Sequence, residues 1–440
     1  MKKLLKDNAK LYITCLIIIC LISLSVVTTK VLALAALAVF AVFTVLFPVN
    51  DCCILLFAIL PFANIFKYEA GATSFFTVCE LLVVVVAAVK QKRMKASFLL
   101  SVLLLATYMF ATGRDSLNVL EIIKVILGLC LVYFITSSID QSDVINITYL
   151  LSISTVLMLI LSMNSTYFVY IKPYLNDINY VVNSSGHTSN IMRISGFFGD
   201  PNYCSILIIT CVALLSVLYY HKKIKAEFWA LLAFLVPLGF LTYSKAYFLC
   251  ICVYVLFLVV FVLFPEHKGW AVVSVFVIAI VLALAVSGKI EVFNVILARF
   301  STGDVTTGRT ALNKLYLNYI WDNPFVLFFG DGIAADRIAG ASNNVHNIYI
   351  EGIYKLGIVG YLLYLFTLYS SVNLGRNALE KRKLVNYFPL LFLAIIYYSL
   401  AGIMMYDYPF YVAIAFLTRD FNLLDENTWD QEIHKETREL

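Results

Sequence analysis

Residues Leu11-Tyr-Ile-Thr-Cys-Leu-Ile-Ile-Ile-Cys-Leu-Ile-Ser-Leu-Ser-Val-Val-Thr-Thr29 carry no charged side chain. A run of about 20 apolar residues is what an α-helix needs to cross the hydrocarbon of a bilayer. Lys2, Lys3, Lys6 and Lys10 precede this run, as basic residues precede a secretory leader. No small-residue cleavage site follows it, and a second apolar run begins at Val31, so the segment reads as a retained first spanning helix.

Runs of the same kind recur along the chain. Besides 11–29 they predict helices over 31–48, 52–67, 73–89, 97–112, 118–137, 144–163, 203–220, 227–243, 246–264, 269–287, 346–372, 385–402 and 403–418. Composition agrees with this reading. Hydrophobic residues make up 62% of the chain and charged residues 13%, whereas soluble domains carry about 25% charge. A soluble protein cannot cover so much apolar surface, but lipid-facing positions need no polar groups. The expected fold is an all-α polytopic transmembrane protein of about 12–14 helices with two larger extracytoplasmic loops.

Charge sets the expected orientation. The clusters Lys90-Gln-Lys-Arg-Met-Lys95, His221-Lys-Lys-Ile-Lys225 and Lys381-Arg-Lys383 fall between apolar runs. With the N-terminus in the cytoplasm and strict alternation, all three lie inside, as the positive-inside rule demands. The expected organisation is N-terminal transmembrane helices over 1–163, a first outer loop over 164–202 and central helices over 203–287. A second outer loop with an amphipathic helix covers 288–345, C-terminal helices cover 346–418, and a cytoplasmic tail covers 419–440. The net charge of +5 is accounted for by the inner clusters and does not point to nucleic acid. The ten cysteines lie in or beside apolar runs and read as small buried hydrophobes. No His/Cys cluster has metal-ligand spacing, no Gly-rich phosphate loop is present, and no cofactor is implied.

Candidate chemistry therefore concentrates in the two polar stretches. In the second, Arg299 and Arg309 flank Phe-Ser-Thr-Gly-Asp-Val-Thr-Thr-Gly. Leu312, Leu315, Tyr316 and Tyr319 then recur at helical spacing, which predicts an amphipathic helix on the outer membrane surface. Asp322-Asn-Pro324 ends it and Gly330-Asp-Gly332 turns the chain. The arginines are either interfacial anchors or cations for an anionic substrate. His346 stands where this loop enters a long helix, a place with free N–H groups that suits a phosphate. It is either an interfacial histidine or a group that binds an anion or moves a proton. Glu351 and Lys355 are spaced to pair, and Gly357 and Gly360 to permit close helix approach.

The first stretch ends Arg193-Ile-Ser-Gly-Phe-Phe-Gly-Asp-Pro-Asn202. Asp200 and Pro201 suit a helix start, Asp200 as its cap. Tyr167, Tyr170, Tyr174 and Tyr180 fit an interfacial aromatic belt better than a sugar platform. Lys245, after Ser244 at the end of another helix, is either a snorkelling lysine or a third cation facing the site.

These segments resemble the O-antigen polymerase and O-antigen ligase superfamily of bacterial envelope enzymes. His346-Asn347, nine residues, then Gly357-x-x-Gly360 is similar to the family's His-Asn-x9-Gly-x-x-Gly pattern. Arg193 to Asn202 is similar to its Arg-x-x-Gly-x-Phe-x-Asp-Pro-Asn stretch, and Ser244-Lys245 and Gly308-Arg309 are weaker matches. The likeness covers roughly residues 190–370. It departs from the family at Lys245, where Ser-Arg is usual and where bidentate phosphate binding is lost. It departs also at Arg309, which is followed by Leu312 and not by the Arg-x3-Leu spacing of ligases. The Arg-x10-Gly motif of some polymerases is not seen.

The resemblance implies a glycosyltransferase of the bacterial cytoplasmic membrane with its active site facing outside. Its donor would be an undecaprenyl-diphosphate-linked glycan, and a flippase and chain-length regulator proteins would be its partners. His346, Arg309 and Arg193 take the catalytic roles, with Asp200, Asn202, Lys245, Arg299, Asn347 and Glu351 in substrate binding. The leading expectation is a polymerase for capsular, exopolysaccharide or O-antigen repeat units. The alternative is a ligase moving finished polymer to a terminal acceptor. A transporter, which would show charged mid-helix residues and paired broken helices, ranks below both.

Overall fold

The computed structural model describes residues 8–67, 73–90, 94–113, 119–139, 141–164, 169–170, 180–182, 188–198, 200–220, 226–257, 309–335, 337–341, 345 and 347–371. Within them the chain is a helical bundle. Its first helices are α1 (Ala9–Val27), α2 (Val31–Leu46), α3 (Val49–Ile59, extended by a 3₁₀ turn Leu60–Phe62) and α4 (Phe75–Lys90). There follow α5 (Ala96–Thr112), α6 (Val119–Ser138) and α7 (Gln141–Met163). A short hairpin, β1 (Tyr180–Val182) with β2 (Thr188–Met192), then precedes α8 (Pro201–Tyr220), α9 (Ala226–Phe240) and α10 (Lys245–Phe257). The last elements are α11 (Arg309–Asp322), α12 (Pro324–Phe329) and α13 (Ile348–Ser371).

Five of these, α1, α6, α8, α13 and most of α7, are long and apolar enough to cross a membrane. Shorter apolar helices include α2, α3 with its 3₁₀ turn, α5 and most of α9. The protein is an all-α polytopic membrane protein, and the antiparallel hairpin in the first polar stretch is an addition that hydropathy does not announce. Predicted helices at 269–287, 385–402 and 403–418 lie outside the described residues. So does the stretch 288–308 with Arg299.

Side-chain burial shows how lipid replaces water as solvent. Leu103, Leu362 and Phe366 are exposed on α5 and α13, while Ser101 and Thr367 on the same helices are buried. A water-soluble bundle has the reverse arrangement; here the apolar surface faces hydrocarbon. The buried hydroxyls bond within the bundle, Thr367 Oγ1 donating to Leu363 O at 2.8 Å and to Ser101 O at 3.2 Å.

Polar contacts sort the helix ends into two sets. At one end Asn50 Nδ2 donates to Asp143 at 3.0 Å, Tyr12 to Asn146 at 2.9 Å, and Lys90 Nζ to Thr44 O at 3.1 Å. Thr136 joins Ser371 O there at 2.9 Å. The other end carries both long polar stretches and is called here the loop end. The helices joined by these contacts place their ends as strict alternation requires. Cysteines introduced for Tyr180 and Asn318 are expected to react with a membrane-impermeant thiol reagent in intact cells, above the parent protein's own reactivity. One introduced for Lys92 is expected not to. Labelling at 92 and not at 180 or 318 reverses the orientation.

Candidate active site at the loop end of the bundle

Two groups of the candidate residues are assembled at the loop end. The first is built around the corner between α9 and α10. Tyr243 there has φ of +49°, the only positive φ of a non-glycine residue among those described. Such a conformation costs free energy and persists only where the surroundings impose it. They do so here. Thr242 Oγ1 donates to Gly239 O at 2.7 Å, and Arg193 Nε donates to Thr242 O at 3.0 Å. The Ile194 N–H donates to Leu241 O at 3.1 Å. The segment after β2 is thus stitched to this corner, and the guanidinium of Arg193 is oriented and almost fully buried.

The same corner holds the start of α8. Ser244 Oγ donates to Asn202 Oδ1 at 2.9 Å. Asp200 caps α8, its Oδ1 accepting the Asn202 N–H at 2.7 Å, and Pro201 is the first helical residue. Lys245 opens α10 beside Ser244 and is buried to the same degree as Arg193. Two cations, an amide and a carboxylate from three separate elements therefore meet at one corner. Water is scarce there, so hydrogen bonds from these cations to an anion gain strength.

The second group is built on α13. Asn347 caps it, its Oδ1 accepting the N–H groups of Tyr349 at 3.0 Å and Ile350 at 3.2 Å. Glu351 is buried and pairs with Lys355 at 3.1 Å, as their spacing predicts. Glu121 of α6 and Tyr316 of α11 stand within electrostatic reach of Glu351. Burial pushes the Tyr316 phenol above the usual tyrosine range, and the nearby Arg337 works against the shift. Arg309 is the first residue of α11. His346, one residue before Asn347, lies outside the described residues.

Gly357 has φ of +64° and ψ of 178°, which breaks α13. A break frees the carbonyls of the preceding turn. Three of them find new donors. Asp331 N–H reaches Tyr354 O at 2.9 Å, Gly332 N–H reaches Lys355 O at 3.1 Å, and Tyr108 Oη reaches Leu356 O at 2.8 Å. Tyr108 also bonds Phe329 O at 3.0 Å, so one hydroxyl on α5 clamps the break to the end of α12. A Cβ on Gly357 would overlap the Phe328 carbonyl carbon, and one on Gly360 would overlap the Tyr108 ring. The two glycines do permit close approach, but Gly357 does so by leaving the helical conformation. Tyr108→Phe is expected to cost about 1–3 kcal/mol, since it leaves a buried carbonyl without a donor. A lowered thermal midpoint of the purified protein measures this.

One expectation needs correction. The apolar stripe of α11 is not spent on a membrane surface. Leu312, Tyr316 and Ile320 are buried in a cluster with Val326, Ile338, Val345 and Tyr354, and Tyr319 packs against it. The Tyr316 and Tyr354 rings meet edge to face at 5.1 Å. Leu315, expected in the stripe, is 37% exposed. Spacing of four, not alternating three and four, is what turns inward.

Other loop-end residues give little sequence signal. Lys67, after the 3₁₀ turn, stands within electrostatic reach of Lys124, which pairs with Glu121 at 3.0 Å. Phe62 of that turn meets Phe197 of the Arg193 segment at 5.6 Å. The N-terminal half thus borders both groups. Among the described residues no group of His, Cys, Asp and Glu can hold a metal ion.

Comparison with known proteins gives one match. No curated protein and no solved structure matches the chain. The matched stretch runs from the start of α9, through the strained corner, α11 and α12, to beyond the Gly357 break. Over residues 228–365, which hold Ser244-Lys245, Gly308-Arg309 and His346–Gly360 but not Arg193–Asn202, this chain matches the family model described as O-antigen ligase, which bears out the superfamily resemblance.

Proposed function

We propose that the protein transfers a glycan from an undecaprenyl-diphosphate carrier on the outer face of the membrane, and that its acceptor is a second carrier-linked repeat unit. It is on this reading a polymerase. An acceptor hydroxyl attacks the anomeric carbon, the bond from that carbon to the diphosphate oxygen breaks, and the carrier diphosphate leaves with the electron pair. The hydroxyl proton passes to a base. The observation that carries the reading is the corner at Thr242–Lys245, which lies in the stretch 228–365 similar to O-antigen ligases and where Lys245 is held nearly buried; Arg193 and Asn202, which precede that stretch, are bonded to it. Fixed cations at a membrane surface suit a departing diphosphate.

Arg193 and Arg309 are assigned to that diphosphate. Arg309→Lys keeps the charge and loses the planar two-pronged donor. It is expected to lower polymer severely with protein level unchanged, as measured by surface-glycan electrophoresis. Near-normal polymer from both Arg193→Ala and Arg309→Ala reduces these residues to interface anchors.

The ligase reading is favoured by one observation, the match of residues 228–365 to a family model described as O-antigen ligase. Surface glycan from a deletion strain separates the two. A single repeat unit left on its carrier supports the polymerase, and long carrier-linked polymer supports the ligase. A transporter is disfavoured because α13, broken at Gly357, has no like-broken counterpart among the described residues.

A further inference from the structure

The outward side of α12 is apolar and aromatic, and Leu317 and Trp321 extend it onto α11, whose other outward residues include the polar Lys314, Asn318 and Asp322. Trp321 is 76% exposed, Phe325 48% and Phe328 49%, and Leu317 and Phe329 are also exposed. The rings of Phe325 and Phe329 lie 5.2 Å apart, forming one continuous edge. The protein-facing side of the pair is already used, by Leu312, Tyr316, Ile320 and Val326.

The clamp fixes the depth of this edge. Phe329 O and Leu356 O share the Tyr108 hydroxyl. Tyr108 lies four residues inside the loop-end terminus of α5, about 6 Å along its axis at 1.5 Å per residue. Leu356 lies eight residues inside α13, about 12 Å at the same rise. Phe329 is therefore held below the ends of both helices, not above them. At this level the exposed flanks of α5 and α13 are themselves apolar, with Phe110 on one and Ile358, Val359 and Leu362 on the other. The α12 edge continues that lipid-facing surface.

We propose that Trp321 and Pro324–Phe329 form a membrane-dipping wedge, its Phe325, Phe328 and Phe329 edge seated among the acyl chains of the leaflet at the loop end. Trp321 then stands at headgroup level, where indole is favoured, and the phenyl rings stand deeper. The capped turn Gly330–Gly332 lets the chain re-emerge, because irregular backbone at this depth must find its donors and acceptors within the protein. The wedge anchors the second polar stretch to the bilayer independently of the reaction catalysed.

The test uses the full-length protein in liposomes of phosphatidylethanolamine and phosphatidylglycerol. A photoreactive benzoylphenylalanine replaces Phe325 or Phe328, and adducts are read by mass spectrometry. Leu362 serves as the lipid-facing reference position and the exposed Asn318 as the water-facing one. Phospholipid adducts at 325 and 328 are expected at the level seen at 362 and severalfold above that at 318. Adducts no more frequent than at 318 overturn the proposal in favour of a water-exposed edge. Crosslinks to another protein chain overturn it in favour of an interface between copies.

Discussion

Gly357→Ala is expected to undock α12 from α13 and to remove most of the glycan product. Two costs combine. The φ of +64° with extended ψ belongs to a region that only glycine occupies readily, worth about 1–3 kcal/mol. The added methyl also meets the backbone of Phe328 and Phe329, which cannot rotate away as a flexible side chain can. Overpacking of this kind costs about 1–3 kcal/mol more. Straightening of α13 would reclaim the carbonyls of Tyr354, Lys355 and Leu356 and displace Asp331, Gly332 and Tyr108. Limited proteolysis between residues 309 and 345 should accelerate while the membrane-inserted level stays the same. Gly360→Ala provides the comparison, since its neighbour is the edge of the Tyr108 ring and its own φ is not positive. A milder loss there, comparable to that of Tyr108→Phe, separates the backbone requirement at Gly357 from displacement of the Tyr108 clamp.

His346→Ala is expected to lower glycan transfer by about 10²–10⁴-fold, the usual contribution of a placed general base. The expectation rests on its motif and on its position one residue before the Asn347 cap of α13. Two roles fit that position. A neutral imidazole can take the proton of the attacking hydroxyl. A protonated one can bind the leaving diphosphate, whose charge favours the imidazolium. His346→Lys and His346→Arg distinguish them, because a fixed cation restores anion binding and cannot act as the base. Full-length glycan from an alanine variant that inserts normally removes both roles.

The parts of the fold that were legible in the sequence are those set by one-dimensional pattern. The apolar run predicted over 118–137 is α6, Val119–Ser138, and that over 144–163 is the body of α7. Pro201 and Asp200 mark the start of α8 because a proline and a capping carboxylate act within one turn. The Glu351–Lys355 pair was legible for the same reason. What could not be read depends on distant partners. Ser244 meets Asn202, and Arg193 meets Thr242, only because α8 and α10 pack together. Tyr108 carries no local mark of its role, since its acceptors lie more than two hundred residues away. The sign of φ at Gly357 and Tyr243 is likewise absent from hydropathy. In α11 the apolar residues sit on more than one face, so periodicity alone did not say which face turns to the protein.

The candidate site follows the same division. Residues within the stretches Arg193–Asn202, Ser244-Lys245 and Asn347–Glu351 were singled out in the sequence, and they lie at the loop end of the bundle. Lys67, Glu121 and Lys124 at that end were not singled out, because a lone charge beside an apolar run looks the same whether it faces a site or anchors a helix.

The central claim is transfer from a diphosphate-linked carrier, and the most direct measurement uses the purified full-length protein in liposomes with an undecaprenyl-diphosphate-linked repeat unit from the producing strain. Release of undecaprenyl diphosphate together with a ladder of carrier-linked oligomers is predicted, lost in Arg193→Ala and retained without added nucleotide or metal. An intact donor after prolonged incubation with correctly inserted protein, with repeat units joined by the same cells' other fractions, would contradict the account.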